Sequence, residues 1–197
     1  MPTEKHKAKK EQIIHSAITV MSQIGYADTC VRAICDAANI SIGTFYHYFR
    51  DKDELLNIIL SQIDLYLDEQ VIPSLTDAAD TVNLRNFALG YARKTISTAS
   101  SYGGVISGSN IPLPSTPESL LKEHDRPLYQ VPRNIIIHGQ KSGEFTTDFE
   151  ADEIADHLIT CLRGYSMDWA RRNYSYDFEK KIISFIEIFC RSIKSGS

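Results

Sequence analysis

The sequence predicts an all-α fold, with a small three-helix head followed by a larger helical body. Two observations carry that expectation. Apolar residues recur at helical spacing in both halves of the chain, and three short helices with one tight turn fit within the first fifty or so residues. Size and composition agree, since 197 residues with 43% hydrophobic and 23% charged content suit a soluble chain with a buried core. No apolar stretch approaches the roughly 20 residues of a membrane span, and the opening MPTEKHKAKKEQ lacks the apolar middle of a signal peptide. A cytoplasmic protein with no membrane partner is expected. Cys30, Cys35, Cys161 and Cys190 form no CxxC pair, so free thiols are expected rather than a disulfide framework or a zinc ribbon.

The head begins with Ile13, Ala17, Val20, Met21 and Ile24, which share one face of a first helix; Gly25 follows where a left-handed cap is expected. Thr29 is placed to cap a second helix whose inward face is Val31, Ile34, Cys35 and Ala38, and Asn39 tolerates the left-handed conformation that ends it. Ser41 caps a very short third helix, residues 42–49. Asp51 with Glu54 three residues on is the capping-box pattern for a fourth, which should run from Asp51 to about Val71, before Pro73.

The join Ala38-Asn39-Ile40-Ser41 has the length of the turn in a helix-turn-helix, in which the second helix crosses the phosphate backbone and the third enters the major groove. Ile40 plugs the corner, and Gly43 permits close approach of the third helix to DNA. Thr44, Tyr46, His47 and Tyr48 crowd hydroxyls, imidazole and ring faces onto two turns of helix, groups that reach phosphate oxygens, base edges and thymine methyls. Phe45 and Phe49 belong to the core by spacing. Tyr48 is divided between packing under the first helix and touching the DNA backbone. Charge divides in the same sense: the chain carries −4 overall, with +2 on residues 1–52 and −6 on the rest. That split reads either as a DNA-facing head on an acidic body or as lysines solvating a terminus. Cys30 reads either as a redox-sensing thiol near the DNA surface or as a small half-buried residue.

The stretch from Ile13 to Leu56, above all Ser41-Ile42-Gly43-Thr44-Phe45-Tyr46-His47-Tyr48-Phe49 followed by Lys52 and Leu55, resembles the DNA-binding domain of the tetracycline-repressor (TetR) family. The resemblance implies that Arg32 on the second helix and Thr44, Tyr46 and His47 on the third contact DNA. Ser41, Tyr48 and Lys52 would hold phosphates at the edges; Thr29 is also expected among the DNA-binding residues. Ile42 and Gly43 stand where other members place base-reading polar residues, so van der Waals contact or DNA shape gains weight. Met21 for the usual phenylalanine and Asn39 for the usual glycine are physically mild departures. The fold class is then a helix-turn-helix DNA-binding domain, residues 1–52, followed by a helical effector-binding and dimerisation domain, residues 53–197. In such a family a ligand entering the body shifts the fourth helix and alters the spacing of two heads on successive major grooves.

In the body, Leu84, Phe87, Ala88, Tyr91 and Thr95 line one helix, and Ile135, Ile136 and Ile137 mark another that Gly143 stops. The glycine- and proline-rich run 103–114 reads as a loop, either a lid over a pocket or plain surface. After Gly143-Glu144-Phe145, two last helices carry Ile154, Leu158, Cys161, Leu162, Tyr165 and Trp169, then Phe178, Ile182, Phe185, Phe189 and Ile193. Both are too apolar for a lone surface, which points to a homodimer through a four-helix bundle. Pocket candidates are Phe87, Tyr91, Tyr102, His138, Tyr165, Met167 and Trp169, most of which plain packing also explains. His157 and Cys161 share a helix face but do not make a metal site, and no cofactor is expected. No GxSxG, HExxH or phosphate-cradling loop is present, so an enzyme is not expected. The expected function is a dimeric regulator, by family habit a repressor, that binds a palindromic operator in double-stranded DNA and is released by a small-molecule effector. The alternative is a TetR-like architectural or partner-binding protein without one.

Overall fold

The structure, a computed structural model, describes residues 4–76, 79–101 and 124–196. Tyr102 and the run 103–114 lie outside the described residues. The helices are α1 (Glu4–Asp28), α2 (Val31–Ala38), α3 (Ile42–Tyr48), α4 (Lys52–Tyr66), α5 (Asp80–Ser101), α6 (Pro127–Ser142), α7 (Ala151–Arg171) and α8 (Phe178–Ser192). Between α4 and α5 the chain widens into a π turn (Leu67–Val71) and then tightens into a 3-10 turn (Ile72–Ser74) that holds Pro73. Among the described residues the sole β feature is one isolated antiparallel bridge, Phe145 to Lys194. Two compact units result: residues 4–62 with 98–101, and residues 63–76, 79–97 and 124–196.

In the first unit, Ile13, Ile14, Ala17, Ile18 and Met21 of α1 close on Ile34, Cys35 and Ala38 of α2, Phe45 and Phe49 around α3, and Leu55 and Ile59 of α4. The expected face of α1 shifts: Val20 is half-buried and Ile24 is 48% exposed, while Ile14 and Ile18 are buried. A helix enclosed from more than one side buries a wider stripe than simple i, i+3, i+4 counting marks. Gly25 has positive φ as expected, but with ψ 160 it is an extended break and the chain runs on to Asp28. Asn39 adopts the left-handed conformation (φ 50, ψ 55), and its N–H and that of Ile40 donate to the carbonyls of Asp36 and Cys35.

In the second unit α5, α6, α7 and α8 bury Leu84, Phe87, Ile135, Ile136, Leu158, Leu162, Phe178 and Ile182 among others. The inward stripe of α8 is Phe178, Ile182, Ile186 and Cys190, so Phe185 and Phe189 sit half-buried beside it and Ile188 is 66% exposed. Gly143 ends α6 in the left-handed conformation, as its position predicted. The next residue, Glu144, reaches back to the start of α5: its carboxylate accepts the N–H groups of Asp80 (2.8 Å) and Thr81 (2.9 Å) and the Thr81 hydroxyl. Unpaired amides at a helix start need acceptors, and a negative charge there also opposes the helix dipole.

Although partial burial pulls the other way, the bonds from Thr81 and Asp80 hold the Glu144 carboxyl below its ordinary value. A carboxyl depressed on folding contributes stability above the ordinary carboxylate range, and that stability is lost as pH falls through the folded value. Urea unfolding of Glu144→Gln should therefore show about 1–3 kcal/mol less stability at neutral pH and a shallower loss on acidification than the native chain. Parallel pH profiles would contradict this role.

Candidate nucleic-acid interface

The third helix has seven residues, too few to persist alone in water. Its hold on the unit comes from both ends and one side. Ser41 Oγ accepts the Thr44 N–H at 3.0 Å and lies 2.8 Å from the Thr44 hydroxyl, which caps the start. Phe45 and Phe49, 0% and 1% exposed, drive the inner face into the core. What remains outside is Ile42 (44% exposed), Gly43, Tyr46 (56% exposed) and His47, with Thr44 and Tyr48 half-buried at the margins.

Gly43 has an ordinary helical conformation, and a Cβ there would meet nothing nearer than Ser41 Oγ at 3.8 Å. Glycine weakens a helix relative to alanine, and no neighbour in the chain requires it here. Arg32 and Cys30 are exposed at the start of α2. Two residues of the expected set are committed elsewhere. Thr29 is only 2% exposed and donates its hydroxyl to the Gly25 carbonyl at 2.6 Å, at the break in α1. The cap position of α2 falls to Cys30, with no side-chain bond. Lys52 Nζ donates to the carbonyls of Tyr26 (3.0 Å), Ala27 (3.5 Å) and Thr29 (3.0 Å) and stands 4.4 Å from the Tyr26 ring centroid. Its ammonium closes the end of α1, where exposed carbonyls favour a cation. The capping box of α4 forms with an offset: Asp51 accepts the Glu54 N–H, and Glu54 accepts the N–H of Arg50. His6, which pattern reading did not single out, rests its ring 4.6 Å from Tyr48 and 5.9 Å from His47.

The residues expected to bind a ligand lie in the second unit, Tyr102 excepted. Phe87 is fully buried. Tyr91 lies 3.2 Å from Ser166 Oγ, and burial raises its phenol pKa despite that bond. Trp169 stacks on Phe178 at 4.7 Å and donates its indole N–H to the Tyr176 carbonyl, while Tyr165 packs 5.0 Å from Phe185. The His138 side chain is 73% exposed, held by Nδ1 at 2.8 Å from the carboxylate of Asp80. Met167 is likewise 46% exposed. A surface groove of about 620 Å³ opens among Asp168, Arg172, Tyr176, Asp177, Lys180, Lys181 and Ser184, none of them anticipated. His157 and Cys161 are both exposed, and the described residues hold no group of three or more metal-ligating side chains. No described helix is long and apolar enough to cross a membrane.

A helix-turn-helix with polar and aromatic groups on the outer face of its third helix is the arrangement of a DNA-binding domain. Residues 13–59 match the family described as bacterial regulatory proteins, tetR family. The regulator BetI of Stenotrophomonas maltophilia is 40% identical over 72 residues, 36% of this chain and 37% of that protein, so the match spans well under half of BetI. The repressor DhaR of a Mycobacterium species is 25% identical over 160 residues, 79% of each chain. Two solved structures share the fold over nearly the whole chain at 19% identity. The fatty acid degradation regulator FadR of Bacillus halodurans has a TM-score of 0.73 over 92% of this chain and 94% of its own. FadR of Bacillus subtilis, solved in complex with stearoyl-CoA, has 0.72 over 93% and 98%. Residues 13–59 thus match the tetR family's DNA-binding domain, and the chain as a whole shares the fold of these solved regulators.

The bonds of Lys52 make a distinct expectation from a phosphate contact. Lys52→Ala should lower the unfolding free energy of the first unit by about 1–3 kcal/mol in urea titrations without DNA. A variant that unfolds like the native chain and loses only DNA affinity would contradict the clamp.

Proposed function

We propose that this chain is a homodimeric repressor of the cytoplasm that reads a palindromic operator with α3 and leaves it when a small molecule binds the helical body. Gly43 carries the DNA contact: a glycine on an exposed helix face, with room for a Cβ and no need of positive φ, gains its purpose only from a surface that comes from outside. Tyr46, His47 and Ile42 flank it, and Thr44 is fixed by the Ser41 cap at the edge of the same face. Arg32 joins from α2, while Tyr48 lends a partly buried ring at the margin. With glycine and isoleucine at the start of the helix, close van der Waals fit and DNA shape supply much of the discrimination.

Dimerisation is supported by the apolar strip that the inward packing of α7 and α8 leaves outside. Phe185 and Phe189 lie 5.8 Å apart and half-buried, Tyr165 packs on Phe185, and Ile188 beside them is largely exposed. A two-fold copy covering that strip removes it from water and sets two α3 helices for two half-sites. An effector is supported by the relative solved with stearoyl-CoA, which makes long-chain acyl-CoA thioesters the first compounds to try.

DNA retained by the native protein from genomic fragments serves as the probe. Thr44→Ala with Tyr46→Ala should abolish its binding and leave the dimer intact; unchanged affinity would sink the assignment of α3. Gly43→Ala should fold as well as the native chain or better, by up to about 1 kcal/mol, yet bind the same DNA at least about tenfold more weakly. Ile188→Glu should shift sedimentation toward the monomer with little change in far-ultraviolet circular dichroism, and a persistent dimer would move the interface elsewhere. Thermal shifts and DNA release across acyl-CoA thioesters and other metabolites test the effector, since a bound ligand raises stability by mass action.

A further inference from the structure

The core-burying stripe of α1 is Ile13, Ile14, Ala17, Ile18 and Met21. Followed back toward the start of the helix, the same stripe passes through Lys10, Lys9 and His6, which stand three, four and seven residues before Ile13. All three are partly buried, while Lys5 and Lys7, and the acidic Glu4 and Glu11, are exposed. A lysine that only solvates a helix end faces water. Lysines on the inward stripe lose part of their hydration and need something in exchange.

Their partners within the chain all lead to the helix-turn-helix. The His6 ring rests on Tyr48 and near His47 of α3, at 4.6 and 5.9 Å between ring centroids. The Lys10 ammonium stands 5.6 Å from the centroid of Phe49, the residue that ends α3. Lys9 donates to Gln12 Oε1 at 3.0 Å, and Gln12 Nε2 donates to the Ala38 carbonyl at 2.9 Å, the last residue of α2 before the turn. None of these partners is an anion, and among the described residues neither Lys9 nor Lys10 enters an ion pair. Two cations are thus held by neutral groups, Lys10 beside the end of α3 and Lys9 on the Gln12 link to the turn before it, with their charge left for another molecule.

We propose that the first two turns of α1, through His6, Lys9 and Lys10, form a third DNA-contacting element beside α2 and α3, which holds backbone phosphates next to the groove that α3 enters. The inference rests on α3 being the DNA face. His6 sets the register by packing its tilted ring against Tyr48, and the two ammonium groups supply sequence-independent grip. The stripe explains why basic residues occupy positions where a helix with nothing beside it would carry apolar or outward-facing ones.

The test measures affinity for a duplex recovered by the native protein from genomic fragments, over about 50–200 mM salt. His6→Ala with Lys9→Gln and Lys10→Gln should weaken binding roughly 10- to 100-fold and reduce the slope of log affinity against log salt by about one for each phosphate no longer neutralised. Lys5→Gln with Lys7→Gln removes the same number of lysines from the outward positions and should change the slope by less than half as much. Equal losses in both variants, the signature of diffuse charge, or a native slope in the inward variant, would overturn the proposal. Thr44→Ala with Tyr46→Ala is run alongside. If it too binds like the native chain, the assignment of α3 is at fault; if it alone loses binding, only the role of α1 fails. Should the triple variant unfold, hydroxyl-radical footprints with Lys9→Gln decide the matter: loss of protection beside the α3 site is expected, and a native footprint overturns the idea.

Discussion

The first unit depends on how a helix of seven residues is kept in place. Alone, α3 would unwind, so its conformation is borrowed from the burial of Phe45 and Phe49 against α1, α2 and α4. Those rings bury one face completely and thereby dictate what the other shows. With Phe45 and Phe49 inward, Ile42, Gly43, Tyr46 and His47 must turn out. The Ser41 cap adds direction to that anchorage, fixing Thr44 at the edge of the exposed face. Truncating either phenylalanine to alanine, by the usual cost of about 3–5 kcal/mol for such a cavity, removes the support on which every outward contact relies.

The surroundings of α3 serve the same end. Lys52 closes the end of α1 by bonding three carbonyls more than twenty residues away in sequence. Gln12 ties α1 to the last carbonyl of α2, next to the turn. In the second unit Glu144 does similar work, joining the residue after α6 to the start of α5. In each case a single polar side chain satisfies backbone groups at a helix end, where the backbone cannot satisfy itself.

Features that rest on neighbouring residues were legible in the sequence. Asn39 in the left-handed conformation, Ser41 as a cap, Gly143 as a stop and the inward Phe45 and Phe49 all follow from local backbone chemistry or helical spacing. What was missed depends on distant partners. Ile14 and Ile18 are buried because α1 is enclosed more widely than one stripe implies, and Ile186 and Cys190 replace Phe185 and Phe189 inside for want of any sequence cue to which flank of α8 faces α7. Thr29 looked like a cap but turns inward to the Gly25 carbonyl. The three carbonyl acceptors of Lys52 were not legible, because nothing in its own segment reveals them. The pairing of His138 with Asp80 was not legible either, because the two lie 58 residues apart in sequence.

The central claim is that the exposed face of α3 is a DNA-reading surface. It is tested most directly by selecting genomic fragments with the purified native protein and, in parallel, with the Thr44→Ala, Tyr46→Ala double variant. The account predicts that the native chain alone enriches a site with two-fold symmetry and half-sites about one helical turn apart or a multiple of it. Enrichment of the same sequences by both proteins, or of none by either, would contradict it.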